Sequence, residues 1–110
     1  MDPHENEPSK TVWVGLVEVS GPPENEFMAG GIGAIGHVVA IATDEESFRL
    51  AACIAAKNVG LAIQSIEDAE PVAARIRTGT MVEELINLSA RTAVDGETRF
   101  SQLHSWPGDS

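Results

Sequence analysis

A chain of 110 residues, 43% hydrophobic and 22% charged, has the length of one domain and enough apolar surface to offset the entropy of ordering it, which excludes two domains and wholesale disorder. Seventeen acids against seven bases give a formal charge of −10, which makes nucleic acid and anionic membrane poor partners while keeping the chain soluble and suiting a basic protein. No run approaches the roughly 20 apolar residues of a membrane helix.

Residues 1–10 are polar, with two prolines and no periodicity, and read as a flexible tail before a single domain over 11–110. Nothing near Met1 resembles a secretory signal, and the one cysteine, Cys53, permits neither an internal disulfide nor a cysteine metal cluster, so a reducing cytoplasm is the expected place. From Thr11 to Val19 the chain is β-branched and apolar, with Val12, Val14 and Leu16 on one face and Trp13, Val17 and Val19 on the other, which predicts a strand buried on both faces. Ser20-Gly21-Pro22-Pro23 breaks it, and a long loop is expected through the glycine-rich residues 30–36 into a second strand, His37 to Ala42.

Thr43-Asp44-Glu45-Glu46 reads as a capping box opening a helix from about Asp44 to Val59, with Phe48, Ala51, Ala52, Ala55 and Val59 as its apolar stripe and Gly60 as a left-handed cap. On this pattern Cys53 is a small core residue rather than a nucleophile. Leu61 to Ile66 is a third strand, interrupted or ended at Glu67-Asp68-Ala69-Glu70-Pro71, with Val72 to Ile76 continuing as an edge strand. Thr80 to Glu83 repeats the capping pattern for a second helix carrying Val82, Leu85, Ile86 and Ser89 or Ala90, and Arg99 to His104 is the final strand.

The order strand, strand, helix, strand, helix, strand predicts an α+β domain: a four-stranded mixed or antiparallel sheet with two helices on one face, a ferredoxin-like sandwich. A ferredoxin-like chain places a helix between its first two strands, and the segment 20–36 is too rich in glycine and proline for one. Either the topology is permuted or the loop takes the helix's place.

Few residues carry chemistry. Gly31-Ile32-Gly33-Ala34-Ile35-Gly36 has the glycine spacing of a dinucleotide loop but lacks the preceding strand and following helix, so a turned loop is the better reading. His37 and His104 stand at strand ends and, with Glu26, Asp68 and Glu70, supply groups of acid/base or ligand type, though no two have the spacing of a metal motif. Asp68 and Glu70, two residues apart, point to one side if extended. Trp106, before Pro107, either plugs the end of the sheet or lies at an interface. No catalytic residue, metal or cofactor is implied, and an enzyme is not argued.

The acidic-proline turn Asp68-Ala69-Glu70-Pro71, then Glu83-Glu84-Leu85, then Phe100 with His104 and Trp106-Pro107, resembles small uncharacterised bacterial α+β proteins of ferredoxin-like type. The resemblance implies a fold and no activity. The function expected is a non-enzymatic protein-binding or self-associating module, a homodimer or the partner of another protein. His37, Asp68, Glu70, His104 and Trp106 are its candidate contacts. One alternative is an acidic immunity-type protein neutralising a basic toxin; another is a small-ligand protein or enzyme with a pocket at the sheet end.

Overall fold

The structure, a computed structural model, describes residues 10–22, 24, 25, 28, 31–79 and 81–106, without the side chain of Trp106. The predicted tail (apart from Lys10), Glu26, Gly30, Thr80 and Pro107 lie outside these residues.

The fold is α+β, an open antiparallel sheet with three helices. Strands β1 (Thr11–Ser20) and β2 (Gly33–Ala42) pair along their whole length, from Thr11 opposite Ala42 to Ser20 opposite Gly33. On the far side of β1 lies β3 (Ala62–Pro71), and on the far side of β2 lie two short strands, β4 (Arg99–Phe100) and β5 (His104–Trp106). The helices are α1 (Glu45–Asn58), α2 (Val72–Arg77) and α3 (Glu83–Asp95).

Strand alternation divides the core in two. Val17 and Val19 of β1, with Val38, Ala40 and Ala42 of β2 and Ile66 of β3, form one face, and Phe48, Ala52 and Ala56 of α1 close over it. Val14 and Val39 face the other way and pack with Val72 of α2, flanked by Met81 and by Leu88 of α3. Each fully buried side chain of this size contributes roughly 1.5–3 kcal/mol of transfer free energy.

The two long helices therefore lie on opposite faces, not on one face as the element order predicted. No described strand pair is parallel, so the sheet is antiparallel rather than mixed, and the ferredoxin-like arrangement is not confirmed. The reason is visible in β1. Both of its faces are apolar, so each needs its own cover, and one layer of helices leaves Val12 and Val14 in water.

Three boundaries also differ. The second strand starts at Gly33 rather than His37, because the glycine-rich residues pair with both β1 and β5. Their amides serve the ladder, which disposes of the dinucleotide-loop pattern. Val72 to Ile76 is helical rather than an edge strand; Val72 and Arg75 bury against the sheet once Pro71 has ended β3. The predicted strand 99–104 is broken at residues 101–103, where β4 and β5 flank a kink. Gly36 makes room for that kink, since a Cβ there would lie 2.6 Å from Leu103 Cδ2 and 3.1 Å from the Gln102 carbonyl. Pro71 is tolerated in β3 because β3 is the sheet's edge.

α1 begins one residue later than the predicted box. Asp44 is the N-cap, accepting from the Ser47 amide at 2.8 Å while Ser47 Oγ accepts from the Asp44 amide at 3.2 Å. It ends as expected at Gly60, with the Gly60 and Leu61 amides donating to the carbonyls of Lys57 and Ala56 in a Schellman closure. Cys53 is exposed, not in the core, because it sits on the side of α1 away from Phe48. α3 has Val82 as its N-cap, with no side-chain cap bond, and is tied at its far end by Arg99, which pairs with Asp95 and donates to Thr92 Oγ1 at 3.2 Å.

The hydrogen bonds from Ser47 hold the Asp44 carboxyl below its ordinary value. A depressed carboxyl contributes stability above its unfolded value and loses it as pH falls through the folded one. Asp44→Ala is expected to lower the thermal midpoint by a few degrees at neutral pH, with the gap to wild type closing in strong acid, as followed by far-ultraviolet circular dichroism.

Candidate functional site

Opposed residues of an antiparallel pair share a face, so the register places side chains in rows across the sheet. On the face away from α1, one row runs Glu70, Val14, Val39; the next is Glu67, Leu16, His37; the third is Ser65, Glu18, Ile35. α2 and α3 cover the first row. The N-terminal end of α3 reaches only the margin of the second row, with Val82, Glu84 and Leu85 beside Leu16 and His37, and no described helix covers the third. Half of this sheet face is thus open among the described residues. Ile35 there is 38% exposed and Val82 59%.

Two clefts meet on it, sharing Leu16 and His37. One, of about 480 Å³, is lined by Leu16, His37, Asp68, Glu70, Arg75 and Thr78. The other, of about 210 Å³, has His37 and His104 with Glu84, Leu85, Ser101 and Gln102 among its walls.

A bulge builds the first cleft. Val14 opposes Glu70 and Leu16 opposes Glu67, so β3 spends one residue more than β1 over this stretch. Asp68 takes up the excess with φ of 55°, a left-handed conformation that aspartate tolerates better than most residues. Arg75 clamps it. Its Nη2 donates to the Asp68 carbonyl at 2.6 Å and its Nε to Glu70 Oε1 at 3.0 Å, with the Arg75 side chain only 10% exposed. Glu70 keeps 40% of its side chain in water.

His37 is held by its backbone. Its amide donates to Ser101 Oγ at 2.9 Å and its carbonyl accepts from the Ser101 amide at 2.8 Å, so Ser101 replaces the ladder where β4 gives way to the kink. Burial first, and then the positive charge of Arg75, hold the His37 imidazole below its ordinary value of 6.5, while Glu84 pulls it up. Burial and the Arg75 charge both favour the neutral ring, which has one nitrogen to donate and one to accept. Because the folded value is depressed, the stability tied to His37 is complete above the unfolded value and is lost as pH falls through the folded one. Glu84→Gln is expected to depress His37 further and Arg75→Met to raise it, with the ring-proton resonances followed through a pH titration as the readout.

Of the residues singled out by sequence, His37, Asp68 and Glu70 come together in one cleft, and His37 and His104 share the next. Trp106 pairs through its backbone with Gly33. Arg75, Thr78, Glu84 and Ser101 were not foreseen. Arg75 stands five residues after Glu70 in a segment read as strand, and only its helical conformation turns the guanidinium back over the bulge. No group of three or more His, Cys, Asp or Glu among the described residues is arranged to hold a metal ion.

The site carries much acid and little base. Glu18, Glu67, Asp68, Glu70 and Glu84 surround the apolar Leu16, Ile35 and Val82, while Arg75, the base in their midst, is engaged by Glu70. Such a surface accepts hydrogen bonds and attracts cations; of its hydroxyls, Thr78 Oγ1 donates to the Arg75 carbonyl and Ser101 Oγ accepts from the His37 amide. No described helix is long and apolar enough to cross a membrane. Compared with known proteins, the chain matches no protein-family model, no curated protein and no solved structure.

Proposed function

We propose that this chain is a non-enzymatic protein-binding module that receives a basic, partly apolar segment of another protein on the open half of its sheet. The observation that carries the reading is the set of acids Glu18, Glu67, Asp68, Glu70 and Glu84 gathered about the exposed Ile35 and Val82 and the half-buried Leu16. A cationic partner gains steering from the net charge of −10 and burial from Leu16, Ile35 and Val82. Neutralisation of a basic toxin by an immunity-type protein is a narrower form of the same reading.

A short peptide of alternating lysine and leucine is the probe. Nuclear magnetic resonance titration at low salt is expected to shift the amides of Leu16, Glu18, Ile35, His37 and Glu67, with affinity falling as salt is added. Glu18→Lys and Glu67→Lys are each expected to weaken binding roughly three- to fivefold, the scale of an exposed ion pair. Shifts spread evenly over the surface, or binding indifferent to both reversals, contradict the proposal.

A second reading, a small-ligand site, is favoured by the convergence of His37, Asp68 and Glu70 on one cleft. Spermidine separates the two: tight binding confined to that cleft, with the peptide inert, supports the small ligand over the protein partner.

A further inference from the structure

The outer side of α1 is built for contact as well. Phe48, Ala52 and Ala56 turn inward, which leaves Glu46, Leu50, Cys53, Ile54 and Lys57 on the side facing away from the sheet. Leu50 is 62% exposed and Ile54 53%. Arg49, the cation within this stretch, is drawn sideways, to Glu45 at 3.0 Å and to the Ile66 carbonyl at 3.1 Å. The middle two turns therefore present an uncharged ridge, bounded by an acid at one end and a base at the other.

That distribution is symmetrical. The midpoint between Leu50 and Cys53 is also the midpoint between Glu46 and Lys57, and the four positions have the alternating four- and three-residue spacing of a helix-packing seam. A two-fold axis through that midpoint sets Leu50 of each copy against Cys53 of the other and Glu46 of each against Lys57 of the other. A parallel pairing sets Glu46 against Glu46.

We propose that a second copy of this chain docks on α1 in antiparallel fashion, with Leu50, Cys53 and Ile54 at the centre and Glu46–Lys57 pairs at both ends. A 14-residue helix is about 21 Å long, so the contact sits at the low end of the range for specific interfaces and the dimer is weak. Because α1 and the acidic half-face lie on opposite sides of the sheet, the dimer points its two acidic faces outward and is bivalent for a basic partner.

The proposal is tested by sedimentation equilibrium at high micromolar concentration, together with cross-linking at Cys53 by a short bis-maleimide. A concentration-dependent dimer is expected, with a covalent dimer through Cys53. Leu50→Glu and Ile54→Glu are expected to abolish both while circular dichroism stays native, since the two side chains are largely in water. Glu46→Lys is expected to weaken the dimer, and adding Lys57→Glu to restore it, which only an antiparallel contact does. Each copy carries −10, so added salt is expected to strengthen association, the opposite of its effect on basic-peptide binding. The two proposals can thus fail separately. A monomer at every concentration assigns α1 to another occupant and overturns the inference, as does a dimer that survives both glutamate substitutions or is not rescued by the charge swap.

Discussion

Phe48→Ala is expected to destabilise the fold by about 4 kcal/mol, within the range measured for removing a fully buried phenylalanine ring. The ring is fully buried, stacks on Trp13 with centroids 6.1 Å apart, and fills the space above Gly15, where a Cβ would come within 2.9 Å of it. The backbone cannot collapse into the vacancy, because β1 is held on both sides by strands. Domains of this size have roughly 5–15 kcal/mol in total, so the thermal midpoint is expected to fall by about 15 °C or more. Urea denaturation followed by tryptophan fluorescence measures it. A loss below about 1 kcal/mol contradicts the packing described.

Arg75→Met is the second large effect, and it acts on the site. Methionine keeps the apolar stem and removes the donors to the Asp68 carbonyl and the Glu70 carboxylate. Glu70 reaches water, so the penalty of an abandoned buried charge is only partly incurred, and a cost of about 2 kcal/mol is expected. The bulge is the expected place of failure. Without the clamp, the left-handed backbone at Asp68 loses its support, and faster amide hydrogen exchange over Glu67–Glu70 is expected while the α1 core stays protected. Asp68→Gly, which adopts that backbone freely, is expected to recover part of the lost stability in the Arg75→Met background. Global unfolding with no local signature contradicts the clamp.

The first strand was legible because the run from Thr11 to Val19 is rich in β-branched residues and apolar on both alternating faces. The first helix was legible because Phe48 and Ala52 lie one turn apart between a polar cap and Gly60. What the alternation also contained was the need for cover on both faces of β1. Deciding which helix covers which face depends on how the connection from β2 through α1 to β3 passes β1, and no local pattern states that. Val72 to Ile76 misled because valine and isoleucine after a proline suit an edge strand, and because a six-residue helix has too few turns to show a period. Cys53 misled through its small size, which fits a core as well as a surface.

The site was half legible. Histidines and acids at strand ends drew attention to His37, Asp68, Glu70 and His104, and their convergence follows from the register and the bulge. Arg75, Glu84 and Ser101 act through contacts between residues far apart in sequence, or through a turn of helix read as strand. No spacing rule finds them.

The two long helices lie on opposite faces, and that leaves half of one face open among the described residues. A methyl–aromatic nuclear Overhauser spectrum tests it most directly. Phe48 ring protons are expected to reach the methyls of Val17, Val38 and Ile66 and none of Val14 or Val39, whose methyls are expected to meet Val72 and Leu88 instead. Cross-peaks from both Phe48 and Leu88 to the same valine methyls place the helices on one face and contradict the account.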